Sequence, residues 1–143
     1  MPKAENSDPA RVYALSLKQP WAALLVAGRK TIEVRNWPTV RRGRILIHAA
    51  RVSDDRPEAW AQVPAVLRPL AERIGGIVGA AELVDCLIYR SRDAFASDQT
   101  KHLNDPEWFN GQTMYGFTFA NATVLPFRAF AGWMRFFPVD PEG

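Results

Sequence analysis

Cysteine is almost missing from this chain. Cys86 stands alone among 143 residues, so no intramolecular disulfide can form, and a reducing compartment suits the protein best. Histidine is scarce as well: two residues, with no spacing that pairs them with each other or with the cysteine, which excludes a typical zinc site. No apolar run approaches the roughly 20 residues needed to cross a bilayer. The start, Met1 to Pro9, is polar and of mixed charge and lacks the apolar core of a signal peptide. Internal repeats, low-complexity tracts and linkers are missing too. These absences point to a cytoplasmic protein with no membrane association, no zinc site and no cofactor, while a hard cation held by carboxylates stays open.

What is present is apolar and aromatic. Apolar residues make up 48% of the chain, with five Trp and eight Phe, enough for a folded globule rather than a disordered tail. The length allows one core and not two. The expected organisation is one domain over residues 12–139, after a flexible segment 1–11 and before a tail 140–143.

Charge is the second positive signal. Between Arg29 and Arg51 lie seven basic residues (Arg29, Lys30, Arg35, Arg41, Arg42, Arg44 and Arg51) and one acid, Glu33, a local charge of +6. The whole chain carries only +3. Such concentration favours an anionic partner, nucleic acid before a small acidic ligand.

The order of elements follows from periodicity and punctuation. Val12 to Leu17 reads as a strand. Pro20 suits the start of a short helix, since its missing N–H would be unpaired there; Trp21, Leu24 and Leu25 form its apolar stripe. Gly28 ends it, being free to adopt positive φ. Thr31 to Trp37 reads as a strand with Thr31, Glu33 and Arg35 on one face and Ile32 and Val34 on the other. Strict alternation puts Lys30 on the core side, so it reaches Glu33 only if the strand begins after it. Ile45 to Ala50 reads as a strand covered on both faces. Ser53-Asp54-Asp55 signals a helix start, with helical segments to about Ile74 broken at Pro64 and Pro69. Ile77 to Tyr89 is strand-like, and residues 90–112 form a loop with a short helix near Asp93 to Lys101. Three more strands are expected at Met114 to Phe119, Val124 to Phe130 and Trp133 to Val139, with Asn121 and Pro126 marking turns. About six short strands with two or three helices favour an α+β fold: a small mixed β-barrel with helices packed on it.

Three blocks carry a family resemblance: Ser16-Leu17-Lys18-Gln19-Pro20-Trp21-Ala22, then Gly28-Arg29-Lys30-Thr31-Ile32-Glu33-Val34-Arg35-Asn36-Trp37, then Arg42 to Ala49. The second fits the pattern G-x-K-x-x-E-x-R at every fixed position. Ile77 to Cys86, Tyr115 to Phe119 and Leu125 to Phe127 continue the match in the same order. In these the chain resembles the ASCH-domain family, a branch of the PUA-like barrels. The resemblance implies a PUA-like barrel with a cleft beside the signature helix, for RNA or modified nucleosides. Some members are described as ribonucleases and some as amidohydrolases on N4-acetylcytidine. For the latter it implies a lysine at the position of Lys30, a threonine at that of Glu33 and a further glutamate downstream; only the lysine is matched here.

The candidate ligand-binding residues are Lys18, Gln19, Lys30, Glu33, Arg35, Trp37, Arg41, Arg42, Arg44, His48 and Tyr115. Lys30 and Arg35 suit phosphate or a carbonyl oxygen, with arginine able to make two parallel bonds. Glu33 can accept from the amino group of a base or act as a general base. Lys18 and Gln19 precede the helix and are expected to be exposed. Trp37 suits base stacking, the arginine cluster suits backbone phosphates, Tyr115 is placed to close the cleft, and Trp21 and Cys86 read as core.

Three functions compete. The leading one is a nucleic-acid-binding domain that takes single-stranded RNA or a nucleotide-like ligand into a cleft around Lys30, Glu33 and Arg35. The second is a hydrolase, ribonuclease or nucleoside amidohydrolase, with Lys30 and Glu33 catalytic; a ribonuclease would bring in a divalent cation. The third is a protein-interaction module using the aromatic-rich part from Trp108 to Phe137.

Overall fold

The computed structural model describes residues 11–140; the N-terminal segment expected over residues 1–11 and the tail at 140–143 lie almost wholly outside the described residues. Among the described residues six strands occur: β1 (Val12–Leu17), β2 (Ile32–Arg35), β3 (Gly43–Ala49), β4 (Gly76–Tyr89), β5 (Met114–Ala129) and β6 (Phe136–Val139). They form one mixed sheet in the order β2-β5-β4-β3-β1-β6. Among the described residues only β1 and β3 run parallel; every other pair is antiparallel. The sheet curls into the half-barrel of a PUA-like α+β fold.

Its two edges, β2 and β6, share no backbone ladder. Aromatic side chains bridge them instead. Trp37, just after β2, meets Phe136 of β6 edge-on at 5.7 Å and Phe117 of β5 at 5.0 Å. Phe117 and Phe136 stack at 6.0 Å.

Curling comes from β4 and β5, whose pairing shifts register at three places. Each irregularity bends the ribbon and increases its twist. The turn expected at Asn121 is one of these bulges. Asn121 does take a positive φ of 53°, but β5 continues through it, paired to β4 on both sides, and its side-chain amide donates to Glu82 Oε1 at 3.0 Å. Two expected strands are therefore one. Pro126 falls where pairing shifts between Ile77 and Gly79, so its missing N–H interrupts no regular ladder. The last strand is shorter than expected, because Arg135 at φ 53° breaks the extended backbone and leaves Trp133 and Met134 outside β6.

Helix α1 (Trp21–Val26) fills the hollow of the sheet. All six of its residues are buried, as an all-apolar helix requires; the expected one-sided stripe is a fully enclosed plug. Gly79 of β4 permits this approach, since a Cβ there would collide with the Val26 side chain and the Thr123 carbonyl. Gly28 ends the helix turn at φ 81°, as expected. The prolines divide the next helical stretch into α2 (Pro57–Trp60), a 3-10 turn and α3 (Arg68–Ala71). The helix expected at Ser53-Asp54-Asp55 begins only at Pro57. Two short helices, α4 (Arg92–Ser97) and α5 (Gln99–His102), pack outside β2 and β4. Cys86 is half-buried rather than buried.

Candidate ligand cleft

β1 and β2 both border an opening that no strand spans. A cleft of about 410 Å³ lies there. Ser16 and Lys18 come from β1 and its end, Glu33 and Arg35 from β2, Trp21 from α1, and Asp54, Arg56 and Asn104 from loops.

Glu33 and Arg35 share a face of β2, as alternation requires, and are joined by Arg35 Nε donating to Glu33 Oε2 at 3.0 Å. The other guanidinium end, Nη2, donates to the Ser16 carbonyl oxygen at 2.8 Å. Lys30 sits before the strand begins and does reach Glu33, with Nζ 3.4 Å from Oε1. It is almost wholly buried, 2% exposed. Its Nζ donates to the Ile32 carbonyl at 2.7 Å and to the His102 carbonyl at 2.8 Å, and lies 4.9 Å from the centre of the Trp21 ring. Burial pulls its pKa below the ordinary lysine value, while the Glu33 carboxylate opposes that shift. Lys30 thus ties β2, α5 and α1 together.

The opposite wall rests on Asp54. This carboxylate accepts from Trp21 Nε1 at 2.9 Å, from the Arg56 backbone N–H at 2.9 Å, and from Arg56 Nη2 at 2.6 Å. Burial works against its charge, but the bonds from Arg56 and Trp21 hold its pKa down to about 2. The Arg56 guanidinium lies 3.6 Å from the centre of the Trp108 ring. Across the cleft, buried His102 stacks on Phe95 at 4.1 Å. Its Nε2–H donates to the Phe95 carbonyl, leaving Nδ1 to accept from the Asn104 N–H at 2.9 Å. Burial keeps its pKa low.

Of the described residues, four cations and two carboxylates line the cleft, a formal net charge of +2. Most of them are engaged with one another. Among the described residues, the Lys18 ammonium and the Asn104 side-chain amide have no partner.

The other sequence candidates fall elsewhere. Gln19 is fully buried, against the expectation of exposure. Its amide donates to the Leu70 and Arg73 carbonyls and accepts from the Ala23 N–H, so α1 and α3 absorb all of it. Trp37, Arg41 and Arg42 line a separate basic hollow with Arg135, whose guanidinium lies 4.6 Å from the centre of the Trp37 ring. Arg44 is exposed on β3, opposite Glu82. Tyr115 is on β5, paired with Arg35 in register but outside the cleft lining. His48 is buried beneath a third cavity, with Nε2 2.7 Å from the Phe130 carbonyl oxygen and Nδ1 2.9 Å from Ser16 Oγ. Trp21 is 7% exposed and still borders the cleft.

Sequence reasoning missed Asp54, Arg56, Trp108 and Asn104. Asp54 resembled a helix cap, and the other three carried no local pattern. Among the described residues, no three of His, Cys, Asp and Glu gather closely enough to hold a metal ion, and no helix is long and apolar enough to cross a membrane.

The family model of the ASCH domain matches residues 15–126. The chain belongs to the ASCH-domain family. It is 37% identical over 84 residues to activating signal cointegrator 1 of Homo sapiens, and equally so to that of Mus musculus. The matched segment is 52% of this chain and only 14% of those relatives. In fold it is similar to the crystal structure of the ASCH protein of Zymomonas mobilis, with a TM-score of 0.64 at 15% identity, covering 90% of this chain and 87% of that one. A mutant form of the same protein also matches with a TM-score of 0.64 and 15% identity, over 90% of each chain.

Proposed function

We propose that this ASCH domain binds single-stranded RNA, or a nucleotide-like ligand, in the cleft between β1 and β2. The carrying observation is that Lys18 and Asn104, which have no partner among the described residues, line a cleft of net positive charge. Lys18 supplies a mobile cation for phosphate. Asn104 supplies paired donor and acceptor groups for a base edge. Arg35 and Arg56 are fixed cations of known direction, held by Glu33 and Asp54, and the remaining lone pairs of Glu33 suit an amino group. Fixing them beforehand lowers the ordering penalty of binding.

This is the reading of a binder rather than a hydrolase. The Lys30 ammonium is already directed at Ile32, His102 and Glu33, and in the protonated form that donates to all three it has no lone pair for nucleophilic or base chemistry. The test is titration of short single-stranded oligoribonucleotides at several salt concentrations. Affinity should fall with salt, and Lys18→Ala should reduce the log–log slope by about one phosphate contact. Salt-independent binding, or a slope unchanged in the variant, would refute the assignment.

A further inference from the structure

Beside the cleft lies an apolar hollow of about 550 Å³. Ser16 and Ala50 line both, so the two cavities share a wall. The far side of the hollow is formed by Gly132, Trp133 and Met134. Trp133 is 75% exposed and Met134 78%. Among the described residues no other ring packs on Trp133.

The segment that carries Trp133 is held in place. His48 Nε2–H donates to the Phe130 carbonyl, and Ser16 Oγ–H donates to Nδ1. Gly132 crosses the imidazole so closely that a Cβ would come within 2.7 Å of His48 Cε1. Past this anchor, Arg135 at positive φ turns the chain back into β6. The exposed indole therefore stands on a fixed base, and exposure of a large ring on a braced segment calls for a partner.

Charge indicates which partner. Leu17 of β1 is opposite Ala49 of β3 in the parallel pair, so Lys18 and Arg51 leave the sheet at the same end. Lys18 borders the cleft and Arg51 the hollow. Among the described residues neither has an ion-pair partner. Two adjacent cavities, one polar and one with an aromatic wall, with an unpaired cation on each rim, match the repeat of a single strand: base, phosphate, base.

We propose that the Trp133–Met134 hollow is a second base subsite, so that the domain takes two successive nucleotides of a single strand, with the linking phosphate over the Ser16–Ala50 wall between Lys18 and Arg51. This rests on the binding function proposed above. His48, buried in the lining of the hollow, is then a positioning residue for the platform.

The experiment compares nucleoside monophosphates with an eight-residue mixed-sequence oligoribonucleotide, on the wild type, Trp133→Ala, Trp133→Phe and Lys18→Ala. Trp133 is on the surface, so thermal melts should be unchanged. Trp133→Ala should weaken the oligonucleotide by roughly 5- to 150-fold, the range for one stacked base, leave monophosphate affinity unaltered, and be largely rescued by phenylalanine. If Trp133→Ala leaves oligonucleotide affinity intact while Lys18→Ala lowers it, the subsite is wrong and the cleft reading stands. If the wild type binds neither probe, both fall. If Trp133→Ala abolishes concentration-dependent self-association but not oligonucleotide binding, the patch is an interface between copies and the subsite is overturned.

Discussion

The Arg35 guanidinium lies 2.8 Å from the Ser16 carbonyl oxygen and 3.0 Å from the Glu33 carboxylate. One side chain so joins β2 to β1, strands that are not neighbours in the sheet. Arg35→Ala removes the bridge and leaves a half-buried carboxylate facing only Lys30. Hydrogen bonds to charged groups are worth about 1.5–3 kcal/mol, so a loss of about 2 kcal/mol is expected in urea denaturation. Arg35→Lys should recover little, because an ammonium cannot make both contacts. A variant as stable as the wild type would show that Arg35 does not hold the opening.

Lys30 is a structural residue first. Lys30→Met keeps the length and the apolar stem but strands the Ile32 and His102 carbonyls and half of the Glu33 pairing. Breaking a buried charge pair from one side costs about 3–5 kcal/mol, and the expected loss lies near the lower limit, about 3 kcal/mol. Chemical denaturation gives this number directly. Ligand affinity of the variant should be compared only at temperatures where it is fully folded.

Acid should destabilise the domain in two windows. His48 and His102 are lowered chiefly by burial, so the unfolded chain takes up protons first, and stability falls as pH drops below about 6.5. His48→Gln, which preserves a donor toward Phe130, should make that fall shallower. Asp54 acts lower down. Its folded pKa of about 2 is below the ordinary 3.8, so its contribution is present above pH 3.8 and lost as pH falls toward 2. The amount is about 2 kcal/mol, from the size of the shift. Denaturation midpoints at pH 8, 6, 5 and 3 for wild type, His48→Gln and Asp54→Asn separate the windows. A midpoint for Asp54→Asn that falls as steeply as the wild type below pH 4 would remove Asp54 from this account.

Local rules made much of the fold readable. Gly28 showed its positive φ, alternation set Glu33 and Arg35 on one face, and the prolines marked the broken helices before β4. What stayed hidden depended on distant partners. Gln19 looked exposed because its acceptors, Leu70 and Arg73, come more than fifty residues later. Asp54 looked like a cap because Trp21, which it holds, is 33 residues upstream. Asn121 was ambiguous in itself: a turn and a bulge both favour a residue that tolerates positive φ, and only pairing on either side tells them apart. The +6 window is real in the sequence, but folding divides it, sending Lys30 and Arg35 to the cleft and Arg41 and Arg42 to the hollow around Trp37.

The ring contacts that join β2 to β6 set how the opening can respond to a guest. A hydrogen-bonded ladder moves in whole-residue steps, each of which turns every side chain to the opposite face. Trp37, Phe117 and Phe136 meet through flat apolar surfaces, which slide by fractions of an ångström without breaking a directional bond. The circumference of this half-barrel is thus elastic along one line, and that line runs beside β2, where the cleft lies.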